Sequence, residues 1–335
     1  MAQAKSSSKP KRRWWIVPSA VLVLLLAAAY YLFVPHNLGT ITSQPRPAAG
    51  YAEAEQRIQA WQATETADFN PVCRLQFMTH GQKVARAIVF VHGYGTCPEQ
   101  FRTLGTEFYD LGYNVLIAAM PHNGLADRMT AEQARLTAEE LAAYADDVVD
   151  IAQGLGEHVT LAGFSAGGVA AGWAAQSRSD VDLAVVISPG FGFYQVPVPL
   201  TAPVMNLNLL LPNSFAWFDT TLKEAGAPVY AYPRYSTRAL AQLLRLSFAT
   251  QVGARRAAPA ARSILVITNA NDHSVNNELT QQVVDEWRAQ GAELRTYEFD
   301  AGLQLGHDMI DPTQPDQRTD IVYPTVIDLI AQLGR

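Results

Sequence analysis

The chain has only two cysteines in 335 residues, Cys73 and Cys97. Two are too few for a disulfide framework and too few for a structural zinc site. Charged residues are also sparse, 17% against 49% hydrophobic, which excludes a disordered chain and implies a buried sheet. Basic clusters are missing after Arg13. Before that point stand Lys5, Lys9, Lys11, Arg12 and Arg13 with no acidic residue, so a chain of net charge −6 has a more acidic body still. An acidic body excludes nucleic acid as a partner, because phosphate binding needs net positive surface. No internal repeat is present.

What the chain does have, at its start, is a long apolar run. Trp14 to Val34 carries no charge, and a helix of that length spans roughly 30 Å, the thickness of a bilayer core. Trp14-Trp15 and Tyr30-Tyr31 stand at its two ends as interface residues do, and Pro18 lies near the start, where a helix tolerates it. The expectation is a single-pass membrane anchor over residues 14–34. Its basic tail, residues 1–13, stays in the cytoplasm and the remainder lies on the far side. The alternative is a secretory signal cleaved near Ala27-Ala28-Ala29. Residues 35–70 read as a linker, extended around Pro45-Arg46-Pro47. Within it Tyr51, Ala54, Ile58 and Trp61 fall on one face of a short helix that packs on the body.

From residue 71 to 335 short apolar runs alternate with longer amphipathic segments. The runs are Leu75–Thr79, Ala87–Val91, Val115–Ala118, Val159–Ala162, Leu183–Ile187, Ile264–Thr268 and Leu294–Phe299. The amphipathic segments are Pro98–Leu111, Thr137–Leu155, Ala166–Ser177, Val275–Gln290 and Thr319–Leu333, with Thr137 as an N-cap. Strands separated by helices predict an α/β domain with a mostly parallel sheet. One segment, about 190–249, breaks the alternation, being rich in proline and aromatics and lacking strand rhythm. An insertion this long between core strands suggests a cap over an apolar pocket; the alternative is a peripheral stabilising subdomain.

The chemistry-bearing residues sit at the ends of these runs. Gly163-Phe164-Ser165-Ala166-Gly167 joins a strand to a helix, the setting of a nucleophile elbow. Such a turn exposes the serine hydroxyl at a helix N-terminus, whose dipole favours developing negative charge. Acyl transfer also needs two backbone N–H donors aimed at an oxyanion. Ala166, directly after the serine, and Tyr94, in the loop Val91-His92-Gly93-Tyr94-Gly95, are the candidates. A serine needs a base within reach. Of seven histidines, His307 alone follows the last strand and precedes the last helix. The acid is expected after the strand Ile264–Thr268, at Asp272, for which helix capping is the alternative role; Asp219, Asp300 and Asp308 are the other candidates. His92 reads as a residue that braces its loop rather than as a general base, and His92, Phe164 and His122 are expected to line the substrate site.

These pieces, His92-Gly93, the G-x-S-x-G pentapeptide, Asp272 and His307 in that order, resemble the α/β-hydrolase superfamily. The resemblance covers roughly residues 73–335. The stretch His92-Gly93-Tyr94-Gly95-Thr96-Cys97-Pro98, with Cys73 upstream, looks like a bacterial branch close to monoacylglycerol lipases and carboxylesterases. It implies an α/β-hydrolase fold with an inserted cap, and a Ser165–His307–Asp272 triad that forms an acyl-enzyme and needs no metal or organic cofactor. The substrate implied is a small-molecule ester with an apolar acyl group. An acyltransferase or thioesterase would use the same residues, and a non-catalytic binding module is the remaining reading. Absence of a His-Gly-Gly-Gly run argues against the hormone-sensitive-lipase branch, and serine at position 165 against the dehalogenase and epoxide-hydrolase branches. A bridge between Cys73 and Cys97 would close a loop of about 25 residues that contains Tyr94 and would steady it; two buried thiols are the alternative.

Overall fold

The computed structural model describes residues 16–218, 228–314 and 317–334. Seven strands form its central sheet: β1 (Gln76–Met78), β2 (Val84–Val91), β3 (Asn114–Ile117), β4 (Gly156–Phe164), β5 (Leu183–Ile187), β8 (Ser263–Asn269) and β9 (Leu294–Phe299). Their spatial order is β1-β3-β2-β4-β5-β8-β9, with β1 antiparallel to β3 and every other pair parallel. Each apolar run recognised in the sequence supplies one strand. β2 and β4 begin three residues early, at Val84 and Gly156, where the two strands pair with each other. Arg86 and His158 interrupt the apolar pattern there, so hydrophobicity alone does not mark those ends.

Helices cover both faces, which is why central strands such as β5 are wholly buried. On one face lie α3 (Arg102–Asp110) and α9 (Thr319–Leu333), packing Leu104, Phe108, Val322 and Ile330 against Ile88, Phe90 and Val185. On the other lie α4 (Ala138–Leu155), α5 (Ala166–Ser177), α7 (Thr237–Arg256) and α8 (Asn277–Ala289). α4 starts on a capping box: Thr137 Oγ1 accepts from Glu140 N at 3.1 Å, and Glu140 Oε2 accepts from Thr137 N at 2.9 Å. α5 is apolar on all sides because it is enclosed by sheet and helices, and its small residues let it approach both closely.

Segment 190–249 holds α6 (Thr201–Leu210), a short hairpin of β6 (Phe215–Trp217) with β7 (Arg234–Ser236), and α7. Three-residue strands are too short to show a period in sequence. Strands do occur here, contrary to the expectation from rhythm. Several bonds stitch this region to the body. Tyr232 N donates to Gly95 O at 2.7 Å, Leu125 N to Tyr232 Oη at 2.9 Å, and Arg128 Nε to Ala231 O at 2.7 Å.

The amino-terminal region begins with α1 (Ile16–Phe33), whose side chains from Val21 to Leu26 are exposed. The apolar segment Pro18–Thr40 is long enough to cross a membrane. The following linker is fastened down rather than free. Ser43 Oγ and Gln44 N donate to Asp146 at 2.6 Å, and Arg46 N to Asp150 at 2.7 Å. Both carboxylates also bind Arg178, wholly buried, which reaches Asp180 as well. Ile41 and Ala48 are buried in the main core. α2 (Tyr51–Gln62) then lays Ala54 and Ile58 against the body, and Trp61 meets Tyr144 edge-on.

Candidate active site

Ser165 sits between β4 and α5 at φ 55°, ψ −110°, outside the comfortable regions for a side chain. The neighbouring glycines hold it there. A Cβ on Gly163 would lie 1.9 Å from Gly167 O, and one on Gly167 would lie 2.0 Å from Val91 O, so only glycine permits this turn. Ser165 N donates to Ile187 O at 2.9 Å and Gly190 N to Ser165 O at 2.9 Å, pinning both sides of the strained residue to the sheet and to the start of the inserted segment.

The structure brings Ser165, His307 and Asp272 together. His307 Nε2 lies 3.0 Å from Ser165 Oγ, and Nδ1 lies 2.7 Å from Asp272 Oδ2. Asp272 is 4% exposed. Burial by itself would raise its pKa, but the bonds from His307 and from the Ser274 and Val275 amides outweigh it and hold the carboxyl below its ordinary range. An ionised carboxylate only accepts, so His307 carries its proton on Nδ1 and presents Nε2 as an acceptor to the serine hydroxyl. Burial would lower the pKa of His307; the bond and charge of Asp272, with the charge of Asp308, raise it instead. Asp272 does not cap the next helix: Asn276 does, accepting from Leu279 N at 3.1 Å. Asp300 caps a short turn and Asp308 lies near Gln100 Nε2 at 3.5 Å, while Asp219 is outside the described residues.

One amide directly after the serine and one in the loop after β2 are unengaged among the described residues. In the loop after β2, Gly93 N donates to Gln100 Oε1 at 2.8 Å, Gly95 N to Asn123 Oδ1 at 3.1 Å and Thr96 N to Gly93 O at 3.3 Å. In the elbow, Ser165 N is bound to Ile187 O and Gly167 N donates to His92 O at 3.1 Å. Among the described residues, Tyr94 N and Ala166 N have no partner. Sequence reasoning missed Gln100 and Asn123, whose side-chain oxygens occupy the flanking amides; neither stands in a motif.

Of the three residues expected to line the substrate site, His92 and Phe164 are buried and His122 lines a cavity with Trp61 and Phe69. His92 is wholly buried, donating Nδ1–H to Gly93 O at 2.8 Å and accepting from Met120 N on Nε2 at 2.9 Å. Burial, partly offset by the Gly93 bond, pushes its pKa down to about 4. It is a neutral brace for the loop. Phe164, the last residue of β4, is also wholly buried, and its ring lies 4.9 Å from that of His307. His122 has φ 62° and faces Glu132 and Glu140 at 3.5 and 3.4 Å, lining a separate cavity with Trp61 and Phe69. Cys73 and Cys97 form a disulfide, with Cα atoms 5.2 Å apart.

Aromatic side chains of the inserted segment stand over the loop after β2. Phe218 reaches within 3.2 Å of where a Gly95 Cβ would be, and its ring lies 6.4 Å from that of Tyr94 and 5.0 Å from that of Tyr235. No group of three or more histidines, cysteines or carboxylates is placed to hold a metal among the described residues.

This architecture is shared with known proteins. A lipolytic enzyme of metagenomic origin, from work on LipS and LipT, superposes with a TM-score of 0.60 at 18% identity, covering 79% of this chain and 99% of its own. The monoacylglycerol lipase of Paleococcus ferrophilus gives 0.58 at 16% identity, with 77% and 98% covered. A soluble variant of monoglyceride lipase from Saccharomyces cerevisiae gives 0.56 at 13%, with 78% and 94% covered. No curated protein matches in sequence. The model of the alpha/beta hydrolase family matches residues 88–319, a span that runs from β2 through Ser165, Asp272 and His307 to the first residue of α9. The chain is a member of the alpha/beta hydrolase family.

Proposed function

We propose that the protein is a membrane-anchored serine hydrolase that cleaves carboxylic esters with apolar acyl groups. The observation that carries this reading is the line of bonds from Asp272 through His307 to Ser165, which is followed directly by the unengaged amide of Ala166. Ser165 Oγ attacks the ester carbonyl as its proton passes to His307 Nε2. The oxyanion lies against the N–H groups of Tyr94 and Ala166. As the carbonyl re-forms, the alkoxide leaves with the proton from Nε2, giving an acyl-enzyme. Water then attacks the acyl carbon, its proton goes to Nε2, and the acid departs as the serine recovers its proton. Asp272 keeps the imidazole in the right tautomer and stabilises the imidazolium formed in both steps. The apolar rim of Phe218, Tyr235 and Tyr94 supports an apolar acyl group, and the lipase neighbours support the same substrate class.

α1 supports anchoring, since its exposed side chains are apolar. The test is labelling of the full chain with a fluorophosphonate, with hydrolysis of p-nitrophenyl esters of increasing acyl length. Wild type is labelled and turns over, whereas Ser165→Ala does neither at an unchanged circular-dichroism spectrum. Equal labelling of the alanine variant, or no turnover of any ester by wild type, refutes the assignment.

A further inference from the structure

The carboxyl end of α1 runs into a built pocket. Asn206 of α6 donates Nδ2 to the carbonyls of Tyr31, Leu32 and Val34 at 3.1, 2.9 and 2.9 Å, and His36 stacks on Tyr31. The last carbonyls of a helix have no partner within it, so this side chain closes the end that would otherwise need water. Next to it is a cavity of about 320 Å³, lined on its polar side by His36, Asn37, Asn206, Arg238 and Arg245. Leu209 and Leu210 line the other side, and Leu210 is 63% exposed.

The two arginines differ. Arg245 is buried and compensated, bonded to Glu139 at 2.9 Å and to Asn37 O at 2.6 Å. Arg238 donates to Leu211 O at 3.0 Å and makes no ion pair among the described residues. The Nε of each is buried without an acceptor. A buried N–H without an acceptor is unfavourable, and an anionic oxygen is the strongest partner a guanidinium can take. The place fits one kind of anion. α1 is about 27 Å long at 1.5 Å per residue, close to the thickness of a hydrocarbon core. If α1 spans, the polar side of the cavity stands at headgroup level and Leu209 and Leu210 at the edge of the acyl chains.

We propose that this cavity binds the phosphate of an anionic phospholipid in the leaflet that the body faces. The inference rests on the anchor reading. A guanidinium with no ion pair among the described residues matches a lipid of net charge −1 better than a zwitterionic one.

The experiment uses the full chain purified in detergent with diether phosphatidylglycerol and diether phosphatidylcholine, which have no carboxylic ester to cleave. Native mass spectrometry reads the retained lipid. Wild type is expected to retain phosphatidylglycerol in preference to phosphatidylcholine, and excess inorganic phosphate is expected not to displace it. Arg238→Gln is expected to lower that occupancy about tenfold, the effect of losing one charge-assisted bond. Hydrolysis of p-nitrophenyl acetate by the variant, at the wild-type rate, shows that it is folded. Arg238→Lys keeps the charge and is expected to keep the lipid preference. Equal occupancy in wild type and Arg238→Gln, no preference between lipids, or complete displacement by inorganic phosphate overturns the lipid site. Release of the chain from membranes by alkaline carbonate overturns the anchor; resistance to carbonate with any of the preceding outcomes overturns the site alone.

Discussion

Replacing Asp272 by Asn tests the site at its least exposed member. The variant keeps the volume, and its amide oxygen can still accept from the Ser274 and Val275 amides, which bind Oδ1 at 2.9 and 3.2 Å. The NH₂ group then faces His307 Nδ1 across 2.7 Å. A donor there demands an acceptor, so the imidazole moves its proton to Nε2 and points it at Ser165 Oγ. The serine loses its base. The expected fall in kcat is about 10⁴-fold, which corresponds to about 5.5 kcal/mol of transition-state stabilisation at 1.36 kcal/mol per decade. The pH profile moves too. Catalysis needs neutral His307, so wild-type activity falls as pH drops through a pKa that Asp272 and Asp308 hold above the ordinary histidine value. In the variant burial still lowers that pKa and only Asp308 opposes it, so the acid limb shifts to lower pH. The assay is kcat/KM for p-nitrophenyl butyrate from about pH 4 to about pH 9. A variant with wild-type kcat, or an acid limb that stays or moves upward, would refute the role given to Asp272.

Gly167→Ala should abolish both activity and fluorophosphonate labelling, because its Cβ would meet Val91 O at 2.0 Å and the elbow would have to open; turnover within twofold of wild type would contradict the turn geometry. Cys73→Ser with Cys97→Ser should lower stability by about 3.5 kcal/mol in the chain-entropy account, read as a lower urea midpoint, and an unchanged midpoint would deny the bridge. Arg178→Ala should cost about 3 to 5 kcal/mol, since it leaves Asp146 and Asp150 buried without their cation. Urea unfolding measures that loss, and a midpoint equal to wild type would show that the cluster is not coupled to folding.

Much of the site was legible because its members stand where strands end, and strands announce themselves by apolar runs. Ser165 follows β4, Asp272 follows β8 and His307 follows β9, so a reader who finds the strands finds the loops. What could not be read is whatever is settled by partners distant in sequence. Residues 43–46 look like a free tether because they show neither period nor apolar stripe. Their contacts are the Ser43 hydroxyl and the Gln44 and Arg46 amides, reaching Asp146 and Asp150 about a hundred positions later. His92 reads as a loop brace from its place beside a glycine turn, but only Met120 and Gly93 show which backbone groups its two ring nitrogens hold. Burial of Phe164 could not be read from its place beside the nucleophile, because it depends on the packing around His307. Gln100 and Asn123 carry no local pattern at all.

The fastening of residues 34–48 has a consequence for how such an enzyme would search for substrate. A leash gives a catalytic domain a radius; a bolted joint gives it an angle. From Asn206 on Val34 O through Arg245 on Asn37 O to Asp146 and Asp150 on residues 43–46, the joint has almost no slack. If α1 stands in a bilayer, the mouth above Ser165 keeps one height and one tilt over the surface. The encounter then becomes a search in two dimensions, over molecules delivered along that plane at that height, and lengthening the joint with a few glycines would trade this orientation for reach.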